Sequence, residues 1–358
     1  MKNNIYIFSN SILSRKNNTF KIEKISDVEA VHEIDIYEDE RERVILPSPK
    51  YEGDGDPKYL PAETIEAFYS FGEVRFNSQF LKCLSYYSIP LHIFNYYGNY
   101  VGSFIPADSE ADGSIILVQS SFYFDYQKRL YIAKNILEAA ARNILDNLNT
   151  YLYEGIELED EIISINSLLD LIRIASSIDE LRGIEGNIRN IYYQCWTNIF
   201  KQKFEFEKRI KNPPIGIVNS LISFGNSLLY AVCISEIYRT RLNPYIGFIH
   251  EAGDKKHSLA YDISEIFKPI ITDKVIFKMI NLKMISEKDF KVKNEFYLLK
   301  ENAKQKFIEE FERRLSTVIT HKRLNRRISY RSLIRMECFN LINYMTGKLK
   351  SYEPYRAS

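Results

Sequence analysis

The sequence predicts an α+β protein of two domains, a small β-rich N-terminal domain followed by a larger all-α C-terminal domain. Three observations carry this. At 358 residues the chain is longer than one hydrophobic core usually organises. Over residues 1–105 the apolar residues come in short runs with the alternation of strands. Over residues 114–345 they recur every three or four positions, the period of helices. Residues 106–113 (PADSEADG) have the composition of a linker, and 346–358 read as a C-terminal tail.

The N-terminal elements follow in order. Ile5, Ile7, Ile12 and Leu13 sit in strand-like runs, and Asn17-Asn18 can turn a hairpin before Phe20 and Ile22. Residues 27–58 are acidic, with 11 acidic against 3 basic residues over 27–56, and end rich in Pro, Gly and Asp, as a long surface loop or insert would. Strand character resumes at 65–77, a short helix fits 78–88, and IPLHIF reads as a buried strand. Residues 95–100 (NYYGNY) turn that strand into the one at 101–105.

In the second domain, Leu130, Ala133, Ile136, Leu137, Ala140, Ile144 and Leu148 define a long amphipathic helix. Ser177 and Glu180 form a capping box that starts another. Asn219 to Ile234 is apolar nearly all round, the pattern of a central buried helix. Ser258 to Lys268 reads as a helix stopped by Pro269.

Composition narrows the function classes. A chain that is 45% hydrophobic and 27% charged, with a net charge of +1, is ordinary for a soluble protein. Residues 301–358, however, hold 13 Lys/Arg against 6 Asp/Glu, a balance suited to a polyanion. The cysteines at 83, 195, 233 and 338 form no CxxC pair, so buried, reduced thiols are expected. No signal-peptide pattern is seen, and no apolar run is expected to reach the roughly 18 residues of a membrane helix. The expectation is a cytoplasmic protein with no membrane partner.

Reactive groups concentrate at Glu185, His250, Asp262 and Glu265. Glu185 lies four residues after Leu181, on or beside the inward stripe of its helix, where a carboxylate needs a cation or hydrogen-bond donors. Gly183 and Gly186 flank it, each costing about 1 kcal/mol in a helix interior unless something approaches closely. His250 ends the apolar run 245–249, while His257, in a charged turn, is expected to be exposed or to face DNA. Asp262 and Glu265 are three apart and share a helix face. Read singly, these fit a salt-bridged glutamate, a packed histidine and a solvated acidic face as well as they fit a site. Read together, one imidazole and three carboxylates suit a hard divalent cation. Lys/Arg with reach toward phosphate are Arg209, Lys211, Lys255, Lys256, Arg326, Arg327 and Arg331, though a solvated helix face would account for about half of them as well. Asn219 and Ser223 could serve a site or only close helix packing.

The segments EGNIRNIYY at 185–193, NPPIGIVNSLISFGNSLLY at 212–230, GFIHE at 247–251 and SLAYDISEIFKPIITD at 258–273 resemble, in order, the CRISPR-associated integrase, the endonuclease subunit of the spacer-acquisition complex. FGEVRFNSQFLKCLSYYSIPLHIFNYYGNYVGSFIP, RLYIAK and SYRSLIRME extend the resemblance over nearly the whole chain. The acidic stretch 27–58 departs from it. The resemblance implies metal ligands at Glu185, His250 and Glu265, which are then also the catalytic residues, with Asp262 in support and Mn²⁺ or Mg²⁺ as cofactor. It implies a homodimer formed through the N-terminal domains, a small partner subunit and double-stranded DNA as substrate. The implied reaction joins short DNA fragments to a CRISPR repeat by transesterification. The alternatives are a metal-dependent nuclease or transposon-type integrase outside a CRISPR locus, and a catalytically silent DNA-bridging scaffold.

Overall fold

The computed structural model describes residues 2–25, 56–95, 97–106, 113–202, 204, 206, 208–210, 214–253, 257–293, 296–321 and 325–357. The chain divides into two compact units, Met1–Asp108 and Ser109–Ser358. Most of the acidic stretch, residues 27–55, lies outside the described residues, as do 107–112 of the expected linker.

In the first unit the strands are β1 (Asn3–Ile7), β2 (Ser11–Lys16), β3 (Thr19–Lys24), β4 (Lys58–Pro61), β5 (Ile65–Ser70) and β6 (Val74–Phe76), then helix α1 (Ser78–Tyr86), then β7 (Leu91–Phe94) and β8 (Tyr100–Phe104). They make two four-stranded sheets, in the orders β1-β5-β7-β8 and β4-β3-β2-β6. Asn17, at φ 54°, closes the β2–β3 hairpin. Gly98, at φ 84°, makes the turn before β8, with its amide donating to Asn95 O at 2.9 Å. Alternation sends Leu13, Phe20, Phe68 and Leu91 into one core, where Phe80, Cys83 and Leu84 of α1 meet them.

The second unit runs α2 (Gly113–Phe124), α3 (Tyr126–Tyr153), α4 (Glu159–Ile174), α5 (Ile178–Gln194), α6 (Trp196–Ile199), α7 (Ile217–Tyr238), α8 (Ser258–Phe267), α9 (Lys274–Asn281), β9 (Phe290–Lys293), β10 (Phe296–Leu299), α10 (Glu301–Ser316), β11 (Val318–His321), β12 (Arg326–Ser329) and α11 (Tyr330–Met345). It is mostly helical but not all-α. β9–β10 and β11–β12 are antiparallel hairpins. Runs of four residues are too short to display a period beside long helices, so the sequence pattern hid them.

Three further expectations change. First, Ile217–Tyr238 is 22 residues long with mean hydropathy 1.6, long and apolar enough to cross a membrane by composition, yet 83% of its apolar window is buried. Asn219, Ser220, Ser227 and Ser235 interrupt its apolar residues, so the stretch read as a central buried helix and not as a run of membrane length. Second, Pro269 does not stop the chain. Helical backbone continues through a single π turn, Pro269–Asp273, into α9. Side chains take up carbonyls around the proline. Asn143 donates to Ile266 O at 2.9 Å, Asn147 to Pro269 O at 2.8 Å and Arg314 to Ile270 O at 2.7 Å. Third, the capping box is shifted. Ser177 Oγ accepts from Glu180 N at 3.1 Å, but Glu180 Oε2 accepts from Ser176 N at 2.8 Å rather than from the cap itself. Residues 346–357 fold back, with Tyr352 buried, Tyr355 N donating to Glu337 and Ala357 N donating to Asn143. All four cysteines are buried, unpaired thiols.

Candidate active site

Asp262 on α8 organises the segment that carries His250. Its carboxylate is fully buried and each oxygen accepts twice. Oδ2 takes the amides of Phe248, at 2.5 Å, and Ile249, at 3.0 Å. Oδ1 takes the amide of His250 at 3.1 Å and the ring Nδ1 of His250 at 2.7 Å. A carboxylate with no proton can only accept, so the imidazole proton sits on Nδ1 and the Nε2 lone pair is left for a ligand. Carboxylates hold metal-ligating histidines in this manner.

The same segment is tied from other sides. Gln119, buried on α2, brackets residues 243–246 with bonds to Asn243 N, Asn243 O and Ile246 O at 2.8, 3.0 and 2.7 Å. Arg129 on α3 donates to Phe248 O at 2.9 Å and stacks over Tyr123. Ser258 Oγ accepts from Gly247 N and donates to Tyr245 O. A Cβ built on Gly247 would lie 2.8 Å from Asp262 Oδ2 and 2.9 Å from the Ser258 backbone, so only glycine lets the segment come this close.

Glu185 and Glu265 meet through a cation. Arg189, one turn beyond Glu185 on α5, has Nε 3.2 Å from Glu185 Oε1 and Nη2 2.5 Å from Glu265 Oε2. Lys268, one turn beyond Glu265, bonds its other oxygen. Burial would raise the Glu265 pKa, but the charges of Lys268 and Arg189 outweigh it and hold this carboxyl well below the usual range, with a smaller contribution from His250. Lys268 is shifted the opposite way: Glu265 raises its pKa against the effect of burial. Below them lies Asp273, closing the π turn. Burial pushes its pKa up to about 7 despite Arg189. Tyr261 packs its ring against both His250 and Tyr230.

The four residues thus form two linked pairs, His250 with Asp262 and Glu185 with Glu265 through Arg189, contributed by α5, the segment before α8 and α8 itself. Glu185 is one-third exposed and His250 one-fifth, so the cluster opens to solvent on their side. Among the described residues no three His, Cys, Asp or Glu side chains stand close enough together to enclose an ion. The donor set nonetheless fits a hard divalent cation: two ionised carboxylates that already share a positive charge, and an imidazole with a fixed tautomer. Gly183 and Gly186 are not needed for close packing, since a Cβ at either meets nothing within 4 Å. The space beside Glu185 is thus left open by the protein.

Sequence reasoning missed Arg189, Lys268, Asp273, Gln119 and Arg129. Arg189 and Lys268 had a signal, because each lies one turn after a candidate carboxylate on the same face. His257, expected in an exposed turn, is buried at φ 61° with its ring 4.6 Å from Tyr245, because a left-handed residue folds the chain back before α8.

The candidate DNA contacts separate. Arg209 is taken up internally, bonding Ile210 O, Asn219 and Ser223 at 2.7–3.2 Å, and burial lowers its pKa. Those bonds give Asn219 and Ser223 a role in anchoring the segment before α7. Arg331 pairs with Glu312 at 3.0 Å. Arg326 and Arg327 are exposed on β12. Lys211, Lys255 and Lys256 lie outside the described residues.

The family described as CRISPR associated protein Cas1 matches residues 5–313. A CRISPR-associated endonuclease Cas1 of Fusobacterium nucleatum is 38% identical over 356 residues, 99% of this chain and 97% of its own length. A protein of the same name from Clostridium perfringens is 38% identical over 360 residues, 100% of this chain and 99% of its own. Among solved structures, a Cas1 protein from Thermotoga maritima superposes with TM-score 0.80 at 33% identity, covering 99% of this chain and 100% of that one. A casposase bound to integration product shares the fold, with TM-score 0.81 at 20% identity over 100% of this chain and 95% of its own. By a match over most of its length and by relatives similar from end to end, the chain belongs to the Cas1 family of CRISPR-associated proteins.

Proposed function

We propose that this protein is a metal-dependent DNA integrase and endonuclease of CRISPR adaptation, with Glu185, His250 and Glu265 as catalytic metal ligands and Asp262 in support. The observation that carries the reading is the Asp262–His250 bond, which leaves Nε2 for a ligand, together with Glu185 and Glu265 joined through the charge of Arg189. Its relatives' name, CRISPR-associated endonuclease, supports the same reaction class.

In the reaction, a terminal hydroxyl of a short DNA duplex attacks a repeat phosphodiester. A new P–O bond forms as the old one breaks, and the displaced hydroxyl leaves with a proton. Bound Mn²⁺ or Mg²⁺ would supply Lewis-acid stabilisation of the phosphoryl oxygens. Asp262 keeps His250 in one tautomer and orientation throughout. Arg189 and Lys268 keep Glu265 ionised, so it needs no deprotonation before it can act as a ligand. With water as the nucleophile the same groups support hydrolysis. Arg326 and Arg327, joined by Lys211, Lys255 and Lys256, are assigned to the DNA path, where phosphate contacts provide affinity without reading sequence; Arg209 and Arg331, engaged within the protein, are left out of it. The working assembly is a homodimer with a small partner subunit on double-stranded DNA, in the cytoplasm.

The test is strand transfer with purified protein, its small partner, a short duplex and a supercoiled plasmid carrying the repeat. Joining is expected with Mn²⁺ or Mg²⁺, and is expected to vanish with chelator and in His250→Ala or Glu185→Ala. Undiminished joining by a folded Glu185→Ala protein would overturn the site.

A further inference from the structure

We propose that Arg189 is a movable internal counter-ion, bridging Glu185 to Glu265 while no divalent cation is bound and shifting onto Asp273 when one takes those carboxylates. The inference rests on the cation site proposed above. It starts from a mismatch: the donor types suit a cation, yet the bond directions of Glu185 and Glu265 are set by a guanidinium.

Arg189 is held at only part of its fork. Nε and Nη2 contact the two glutamates, but Nη1 is buried and has no hydrogen-bond partner among the described residues. Asp273 is in the complementary position. It is buried, its charge acts on Arg189, and its Oδ2 also has no partner among the described residues. An unsatisfied buried donor and an unsatisfied buried acceptor of opposite charge in one cluster are both costly, and a direct bond between them removes both costs.

Charge supplies the driving force. With Glu185 and Glu265 ionised, removing Arg189 leaves like charges facing each other with only Lys268 to offset them. Adding a divalent cation while Arg189 stays in place crowds it against two monovalent cations. Exchange of partners avoids both extremes: the metal takes the carboxylates and Arg189 takes Asp273. The acceptor is fixed in advance, because Asn147 and Arg314 clamp the π turn that ends at Asp273. Arg189 is on this account a positioning residue, acting through the ligands and not on substrate.

The experiment measures Mn²⁺ affinity of the whole protein without DNA, from the loss of the free-ion paramagnetic resonance signal. The wild type and four variants are compared: His250→Ala, Asp273→Asn, Arg189→Gln and the double variant of the last two. Asp273→Asn keeps the shape but removes the charged acceptor, and is expected to weaken Mn²⁺ binding about tenfold. The same change in the Arg189→Gln background is expected to have no effect, since the group it receives is gone. Equal Mn²⁺ affinity in wild type and Asp273→Asn, with binding still lost in His250→Ala, would overturn the counter-ion exchange and leave the cation site standing. A tenfold loss that persists in the Arg189→Gln background would also overturn it. Mn²⁺ binding indifferent to His250→Ala would overturn the site itself and the exchange with it. Should Arg189→Gln fail to fold, the isosteric Asp273→Asn decides alone by the first comparison.

Discussion

The two halves of the site differ in how completely their polar groups are matched. Around Asp262 both carboxylate oxygens accept two bonds each, and the His250 ring is locked by one of them. Around Arg189 the charges are strong but the matching is partial, with Nη1 and Asp273 Oδ2 left over. Both halves hang on α8, so the contrast is not one of a rigid and a loose element. It shows that one fold can lock one side chain in a single orientation and leave the polar groups beside it only partly matched.

Breaking the matched half is expected to have the largest effect. Gly247→Ala forces a Cβ against Asp262 Oδ2 and the Ser258 backbone, at an expected cost of about 2–3 kcal/mol, read as a lower melting temperature together with loss of strand transfer. Next, Asp262→Asn turns an acceptor of four bonds into a group with two N–H donors of its own. Joining should fall roughly 10–100-fold while circular dichroism stays native.

The partially matched half predicts a change of opposite sign. Asp273 keeps its proton up to about 7 when folded, whereas its ordinary value is 3.8. The folded state thus binds the extra proton, and stability is lost as pH rises from about 4 to about 7 and remains lost above that. Asp273→Asn should therefore raise the melting temperature at pH 8, by the equivalent of about 1–3 kcal/mol, and change it little at pH 4. A melting temperature that drops at pH 8 would show that the Asp273 carboxylate is paired in the metal-free protein.

Smaller effects sharpen the comparison at its edges. Charge reversal at Arg326 and Arg327 should weaken DNA binding and flatten its salt dependence by a slope of about 2, measured by titration across salt concentrations. Gly186→Ala meets nothing, so it should stabilise α5 by about 0.5–1 kcal/mol in thermal melts. If the open space beside Glu185 accommodates substrate, the same change slows joining while it raises stability.

The order of strands and helices was legible wherever period and punctuation were strong. The Asn17 hairpin, the helix beginning at Ser177 and the apolar α7 each announced themselves. The four-residue hairpins did not, because a period needs more length than β9 to β12 provide. Pro269 misled, because the side chains that catch the freed carbonyls come from Asn143, Asn147 and Arg314, none of them near in sequence. In the site, Glu185 stood out as a carboxylate on or beside an inward stripe, His250 as the end of an apolar run, and Asp262 and Glu265 as two carboxylates sharing a helix face. Which of them would touch which was not legible. The link between the two glutamates is an arginine on α5.

That π turn has a geometric consequence for the site. Each residue of a helix advances about 100°, so a single i to i+5 turn sets α9 out of phase with α8 by about that angle. Asp273 faces the interior, and Val275, Ile276 and Met279 pack as they do, because of that offset. Straightening that turn into regular α-helix with every residue kept would rotate everything downstream by about 100°, carrying the Asp273 carboxylate away from Arg189. The phase slip is therefore a spacing device: eight residues on from Glu265, it brings Asp273 back to nearly the same side of the helical stretch, the side that meets Arg189.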